Sequence, residues 1–202
     1  AERYQLEVLN EMPEIDAVIG IGSNDEIVNI VNRVIGNENN IAMFPDKNLL
    51  DMDSDRILAS PRYTAYLRIA DGCDNCCTYC TIPFIRGRFR SRTVESVIDE
   101  AKRLAARGVK ELVVIAQDTT RYGEDNYGRL MLPELLCKLC DIDGIEWIRI
   151  LYAYPARITD ELLDVMASHS KILHYIDIPL QHCNGDILHA MNRTGDRPPL
   201  TP

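Results

Sequence analysis

Between Ala65 and Arg193 the sequence alternates short apolar runs with amphipathic segments four times over, and this alternation limits the fold more than any other feature. "AYLRIADG" (65–72) is strand-like and runs into a cysteine-rich loop. "TVESVIDEAKRLAARG" (93–108) places Val94, Val97, Ile98, Ala101, Leu104 and Ala105 on one helical face, with basic residues in its last turn and Gly108 at its end. "KELVVIAQD" (110–118) is the β-branched run of a buried strand. A helix over 132–142, a strand over 145–155, a Thr159-capped helix over 159–169, a strand over 172–181 and a helix from 184 complete the series. Strand-then-helix units joined by right-handed crossovers give a parallel sheet covered by helices. Curled, such a sheet is part of a (β/α) barrel, whose chemistry sits at the C-terminal ends of the strands. The four segments at those ends are the cysteine loop, "QDTTRYG", "YAYP" and "QH", and all four would face one mouth.

The fold class is therefore α/β: a partial (β/α) barrel preceded by the end of another α/β domain. That earlier piece is a strand within "EIDAVIGIG" (14–22) and a helix over 24–35, capped by Ser23 or Asn24 and ended by Gly36. Residues 37–62 turn polar, hold Pro45 and lose all periodicity, which predicts a linker. The expected organisation is 1–36 as the end of the first domain, 37–62 as linker, 63–196 as a truncated barrel core and 197–202 as a tail. Both ends read as cut. A helical pattern (Tyr4, Leu6, Val8, Leu9, Met12) opens without a cap, and "RPPLTP" closes the chain. No apolar run reaches the roughly 18 residues needed to span a membrane, and no signal peptide opens the chain, so the expected location is the cytoplasm.

Seven cysteines, an odd number with four in residues 73–80, do not suit a secreted disulfide framework. A net charge of -9 argues against a general nucleic-acid-binding surface. A zinc site would want two separated pairs. The only other close pair, Cys137 and Cys140, lies in an apolar helical pattern, as core thiols or, since residues three apart share a face, as a second metal site. Cys73, Cys77 and Cys80, spaced C-x-x-x-C-x-x-C, instead offer three thiolates from one loop, which on a four-iron cluster leaves one iron open. Cys76 is then a bystander, or a fourth ligand that would close the open iron.

This spacing, with Tyr79 before the last cysteine, resembles the C-x-x-x-C-x-aromatic-C signature of the radical S-adenosylmethionine (SAM) superfamily. "ADGCDNCCTYCTIPFIRGRFRSR", "AQDTTRYG", "YAYP" and "YIDIPLQH" together are similar to its methylthiotransferases, over residues 61–196. "CDN" and "AQDTTRYG" favour the branch that modifies an aspartate of a small-subunit ribosomal protein over the branch that modifies adenosine in transfer RNA. The resemblance implies a radical-SAM barrel, a 4Fe-4S cluster on Cys73, Cys77 and Cys80, and SAM on the open iron. It also implies a ribosomal-protein substrate, with ribosomal RNA nearby, and a reducing partner such as flavodoxin or ferredoxin. The family's second 4Fe-4S cluster is held by cysteines of its N-terminal domain, which precede an "AERY"-like stretch. This chain opens on "AERY", so a second cluster is expected only in a longer protein. An inactive iron–sulfur or zinc-binding fragment is the alternative from another class.

By the same resemblance Tyr79 packs near the adenine, and Gln117, Asp118 and Thr119 take the place that binds the methionine amino group; a turn or helix cap is their structural alternative. Gln181, at the mouth, is a candidate cofactor contact. Arg149 and Tyr152 are candidates on the third barrel strand, where Trp147, Ile148 and Ile150 read as packing. His182, His169, His174 and His189 read as ordinary. Arg86, Arg88, Arg90 and Arg92 alternate, which on an extended segment puts them on one face. That face is either a solvated basic edge or a counter-charge for the cluster, RNA or an acidic partner.

Overall fold

The computed structural model describes residues 1–49, 52–53, 56–59 and 61–193. The 197–202 tail and residues 194–196 of the predicted barrel core lie outside the described residues, as do Leu50, Asp51, Ser54, Asp55 and Ser60 of the predicted linker. The chain forms two compact units: Ala1–Asp51 with Cys80–Arg88, and Met52–Tyr79 with Phe89–Pro202.

The first unit starts with helix α1 (Leu6–Glu11), strand β1 (Ala17–Ile19), a 3₁₀ segment (Ile21–Glu26), helix α2 (Ile27–Ile35) and strand β2 (Ile41–Met43). β1 and β2 are parallel, with Ala17 opposite Ile41, and Val18, Ile30 and Ile41 are buried. Two expectations change here. The segment read as linker contains β2, because three residues are too few to show a period in sequence and its strand partner, β1, lies some twenty residues away. Ser23 does not cap a helix. Its hydroxyl donates to the Met43 carbonyl at 3.1 Å, and the chain enters α2 through the 3₁₀ turn.

The chain continues through β3 (Thr64–Arg68), β4 (Ala70–Asp71), α3 (Ile82–Arg86, in the first unit), β5 (Arg90–Ser91), α4 (Val94–Ala106), β6 (Glu111–Ile115), α5 (Glu124–Tyr127) and α6 (Leu132–Cys140). It ends with β7 (Trp147–Ile150), α7 (Asp160–Ser168), β8 (Ile172–Ile176) and α8 (Gly185–Ala190). In the second unit β3-β6-β7-β8 form a parallel four-stranded sheet, and β4 pairs antiparallel with β5. The fold is thus α/β with the open parallel sheet of a partial (β/α) barrel. Ala65, Leu112, Ile148 and Ile172 stand opposite one another across all four strands, and all are buried. They share one core with Val97, Ala101 and Leu104 of α4, Leu135, Leu136 and Leu139 of α6, and Leu162 and Met166 of α7. Side chains alternate along a strand, so the next row, Tyr66, Val113 and Arg149, faces the other side of the sheet. Trp147 starts β7 on that side and is 51% exposed, so it is not the packing residue that its apolar neighbours suggested; Ile148 and Ile150 are.

Thr159 is the cap expected of it, and Thr93 and Asn184, not singled out from the sequence, cap their helices in the same way. Thr93, Thr159 and Asn184 accept the Ser96, Leu162 and Ile187 amides at 3.2, 3.2 and 3.1 Å. Gly108, at φ 91, takes the left-handed turn after α4.

The alternating arginines do not form one face. Arg86 ends α3, Gly87 breaks the extended path at φ 79, and Arg92 is buried. The Arg92 guanidinium donates to Asp53 and Ser96 Oγ, each at 2.7 Å, to the Arg68 carbonyl at 2.8 Å, and to Glu100. It is a structural cation, not part of a solvated edge. Arg56 likewise pairs with Glu100 at 3.0 Å and donates to the Tyr66 carbonyl of β3.

Leu135 is fully buried where α6 meets the shared core. Leu135→Ala is expected to cost about 2–5 kcal/mol of unfolding free energy, read as a lower urea midpoint with unchanged slope.

Candidate active site

The four loops at the C-terminal ends of β3, β6, β7 and β8 are stitched together in the second unit. Asp118, which follows β6, is 1% exposed. An isolated buried carboxylate is costly, and this one is met by three donors. Arg157 Nη1 (2.7 Å) and Asn75 Nδ2 (3.1 Å) reach Oδ2, and the Thr120 hydroxyl (2.6 Å) reaches Oδ1. Asn75 belongs to the cysteine loop and Arg157 to the loop after β7. Arg157 also donates to Asn75 Oδ1 at 3.2 Å, which closes the triangle. Thr119, fully buried, donates to the Leu151 and Tyr152 carbonyls at 2.8 and 3.2 Å. The Tyr154 amide returns a bond to Thr120 Oγ1 at 3.1 Å, and Asp177 after β8 accepts from the amides of Tyr152 and Ala153.

The cysteine loop is fastened along its length. Asp74 accepts the Phe89 amide at 3.2 Å and Arg121 Nη1 at 3.3 Å. Asn192 Nδ2 donates to the carbonyls of Cys76 at 2.9 Å and Asn75 at 3.3 Å, and the Met191 carbonyl takes the Thr78 amide at 3.1 Å. Arg193 Nη1 lies 3.8 Å from Cys77 Sγ and 3.2 Å from the Tyr79 hydroxyl. Partial burial pushes the Tyr79 phenol up in pKa, against the pull of that guanidinium.

The predicted site residues fall into distinct states. Cys77 is buried, Cys73 and Cys80 are half-buried, and Cys76 is exposed at a left-handed φ of 49. Cys73, Cys76 and Cys77 belong to the second unit and Cys80 to the first. Among the described residues no three His, Cys, Asp or Glu side chains are gathered as a metal site. Asp118 and Thr119 are saturated by protein groups, which leaves Gln117 as the member of that trio with a buried, unpartnered oxygen, Oε1. Gln181 is exposed, with φ 65, past the end of β8. Arg149 pairs with Glu111 at 2.8 Å and lies over the Tyr175 ring. Tyr152, beyond β7, is half exposed at φ 61. His182 Nδ1 accepts the Asn184 amide at 2.9 Å, and His169 Nδ1 contacts the Val165 carbonyl at 3.0 Å, which are local structural roles.

Sequence reasoning missed Asp74, Asn75, Arg157, Asn192 and Arg193. For the first two a signal existed, since "CDN" sits inside the cysteine loop. Arg157 and Arg193 are scattered basic residues whose bonds to Asp118 and Cys77 span 39 and 116 positions.

Four strand ends converging on a thiol-bearing loop define a class of barrel enzyme, and residues 67–198 place the chain in it: it belongs to the Radical SAM superfamily. Among curated relatives it is similar to "Ribosomal protein uS12 methylthiotransferase RimO" of Lachnoclostridium phytofermentans, at 51% identity over 96% of this chain and 44% of that protein. The protein of the same name from Thermoanaerobacter sp. is 48% identical over 98% of this chain and 45% of that one. The chain thus spans less than half the length of these relatives. Among solved structures, the radical SAM methyltransferase TsrM of Kitasatospora setae, with tryptophan and a SAM analog bound, aligns at a TM-score of 0.62 and 14% identity. That alignment covers 91% of this chain and 40% of TsrM, and at that identity it speaks to the fold.

Cys137 and Cys140 of α6 belong to a different chemistry. Burial pushes the Cys140 thiol up to about 11 and raises Cys137 as well, and Cys140 packs against the core. Both stay protonated, and so poor nucleophiles, near neutral pH. With iodoacetamide at pH 8, peptide mapping should show exposed Cys76 and Cys183 alkylated well before this pair. Alkylation of Cys140 should rise only as pH approaches 11.

Proposed function

We propose that this chain is the catalytic-core portion of a radical SAM methylthiotransferase that adds a methylthio group to an aspartate of a small-subunit ribosomal protein. The observation that carries the reading is the C-x-x-x-C-x-Tyr-C loop at the end of a parallel barrel strand, in a chain 51% identical to a protein named for that reaction. Cys73, Cys77 and Cys80 would hold a 4Fe-4S cluster. The donor chemistry suits it, since three soft thiolates suit iron–sulfur ligation. A buried Arg193 guanidinium faces one of those sulfurs without a carboxylate among its described contacts. A reduced cluster held by these thiolates would supply one-electron chemistry for cleaving the sulfonium of SAM.

The chain's own residues position the two reactants. Gln117 Oε1, buried and unpartnered, is an acceptor for the methionine ammonium group of SAM, and Tyr79 offers a half-exposed ring to the adenine. Asp118 and Thr119 act as struts holding Gln117 and the loop after β7 in register, and Gln181 lines the mouth. Ribosomal RNA near the substrate, a flavodoxin- or ferredoxin-type reductant and a cytoplasmic location accompany this reading. Among the described residues no helix is long and apolar enough to cross a membrane. The relatives' greater length leaves room for a second 4Fe-4S cluster outside this chain.

Anaerobic reconstitution tests the reading. A brown protein holding about four irons, which releases 5′-deoxyadenosine from SAM once reduced, is expected. Stoichiometric zinc with no cleavage would overturn it. In the full-length protein, Cys77→Ala should abolish cleavage. Mass spectrometry of the products should place a gain of one SCH2 unit on the ribosomal protein; the same gain on transfer RNA adenosine would reassign the substrate.

A further inference from the structure

Arg193 is 8% exposed and follows the last turn after α8. A buried cation is costly unless it is paired, and three other buried or half-buried arginines of this unit have carboxylates: Asp53 and Glu100 for Arg92, Asp118 for Arg157, Asp74 and Glu124 for Arg121. Arg193 has none among the described residues. Its contacts are the Pro179 carbonyl at 2.7 Å, the Tyr79 hydroxyl at 3.2 Å, the Tyr154 ring at 4.5 Å and Cys77 Sγ at 3.8 Å. Those groups come from the loops after β8 and β7 and from the cysteine loop. Of the four, the sulfur can become an anion at low cost when it binds a metal.

We propose that Arg193 is the positioning residue of the cysteine loop. Its planar guanidinium fixes Cys77 and Tyr79 against the loops after β7 and β8, and it supplies the counter-charge that Cys77 needs as a thiolate ligand. The inference rests on the reading of Cys77 as a cluster ligand. A rigid fork can serve a carbonyl, a hydroxyl and a sulfur at fixed angles, whereas an ammonium supplies the charge without the shape. Fork and charge are therefore separable. The fork governs how firmly the loop holds iron. The charge governs how readily an anionic cluster accepts an electron, because a cation beside a ligating sulfur favours the reduced state.

The test compares the reconstituted parent chain with Arg193→Lys and Arg193→Gln, checking folding by circular dichroism. Two quantities are read: the rate of iron loss to a chelator, and the midpoint potential followed by electron paramagnetic resonance. Arg193→Lys should lose iron about 10-fold faster or more while keeping a midpoint close to the parent's. Arg193→Gln should lose iron at least as fast, with its midpoint displaced to more negative values. A merely structural arginine would change stability and leave the midpoint alone. Parent-like iron retention and midpoint in a folded Arg193→Gln would overturn the proposal. Should that variant not fold, parent-like iron retention in Arg193→Lys would do the same. Failure of the parent chain to bind iron at all would instead count against Cys77 as a cluster ligand, and the proposal would fall with it.

Discussion

A carboxylate taken out of water must be answered, and at Asp118 the answer comes from three places in the chain. Asn75, Thr120 and Arg157 converge on one side chain that is 1% exposed. Losing any one donor leaves part of a charge unmet in a poorly solvated place, so the three loops are held in their mutual positions by desolvation as much as by attraction. The cysteine loop, the turn after β6 and the segment after β7 are therefore one object. The parallel sheet brings their ends near one another, and Asp118 makes the approach specific.

The helices were the most legible part of the sequence. Thr93, Thr159 and Asn184 each stand immediately before an apolar period and each accepts the amide three residues on. Strand existence was also legible, because β-branched runs such as "ELVVI" have little other use. What could not be read depends on distant partners. β2 exists because β1 pairs with it, and "IAM" has no strand signature of its own. The arginine alternation looked like one face because extension was assumed, and a single left-handed Gly87 removes it. Trp147 looked like core because its neighbours are; strand alternation turns it the other way.

The candidate site was legible in its thiols and obscure in its supports. The C-x-x-x-C-x-Tyr-C spacing puts Cys73, Cys77 and Cys80 forward as candidates through its resemblance to a known signature. The residues that hold the loop are recognised by their partners in space: Asp74 and Asn75 at least sit in "CDN" beside the thiols, whereas Asn192 and Arg193 are common polar side chains with no pattern. The cysteines also differ in ways that composition does not distinguish. Those of α6 are kept protonated by burial, while Cys77 is buried beside a cation. The same residue type is inert in one place and a candidate metal ligand in the other.

The sheet order β3-β6-β7-β8 leaves β3 and β8 as its two margins. At β3 the carbonyls of Tyr66 and Arg68 accept from the guanidinium groups of Arg56 and Arg92. Cations planted on main-chain oxygens act as a terminator, because an incoming strand would have to evict them and strand their carboxylate partners Asp53 and Glu100. Among the described residues, the β3 margin of this sheet is therefore closed by charge and not by another strand.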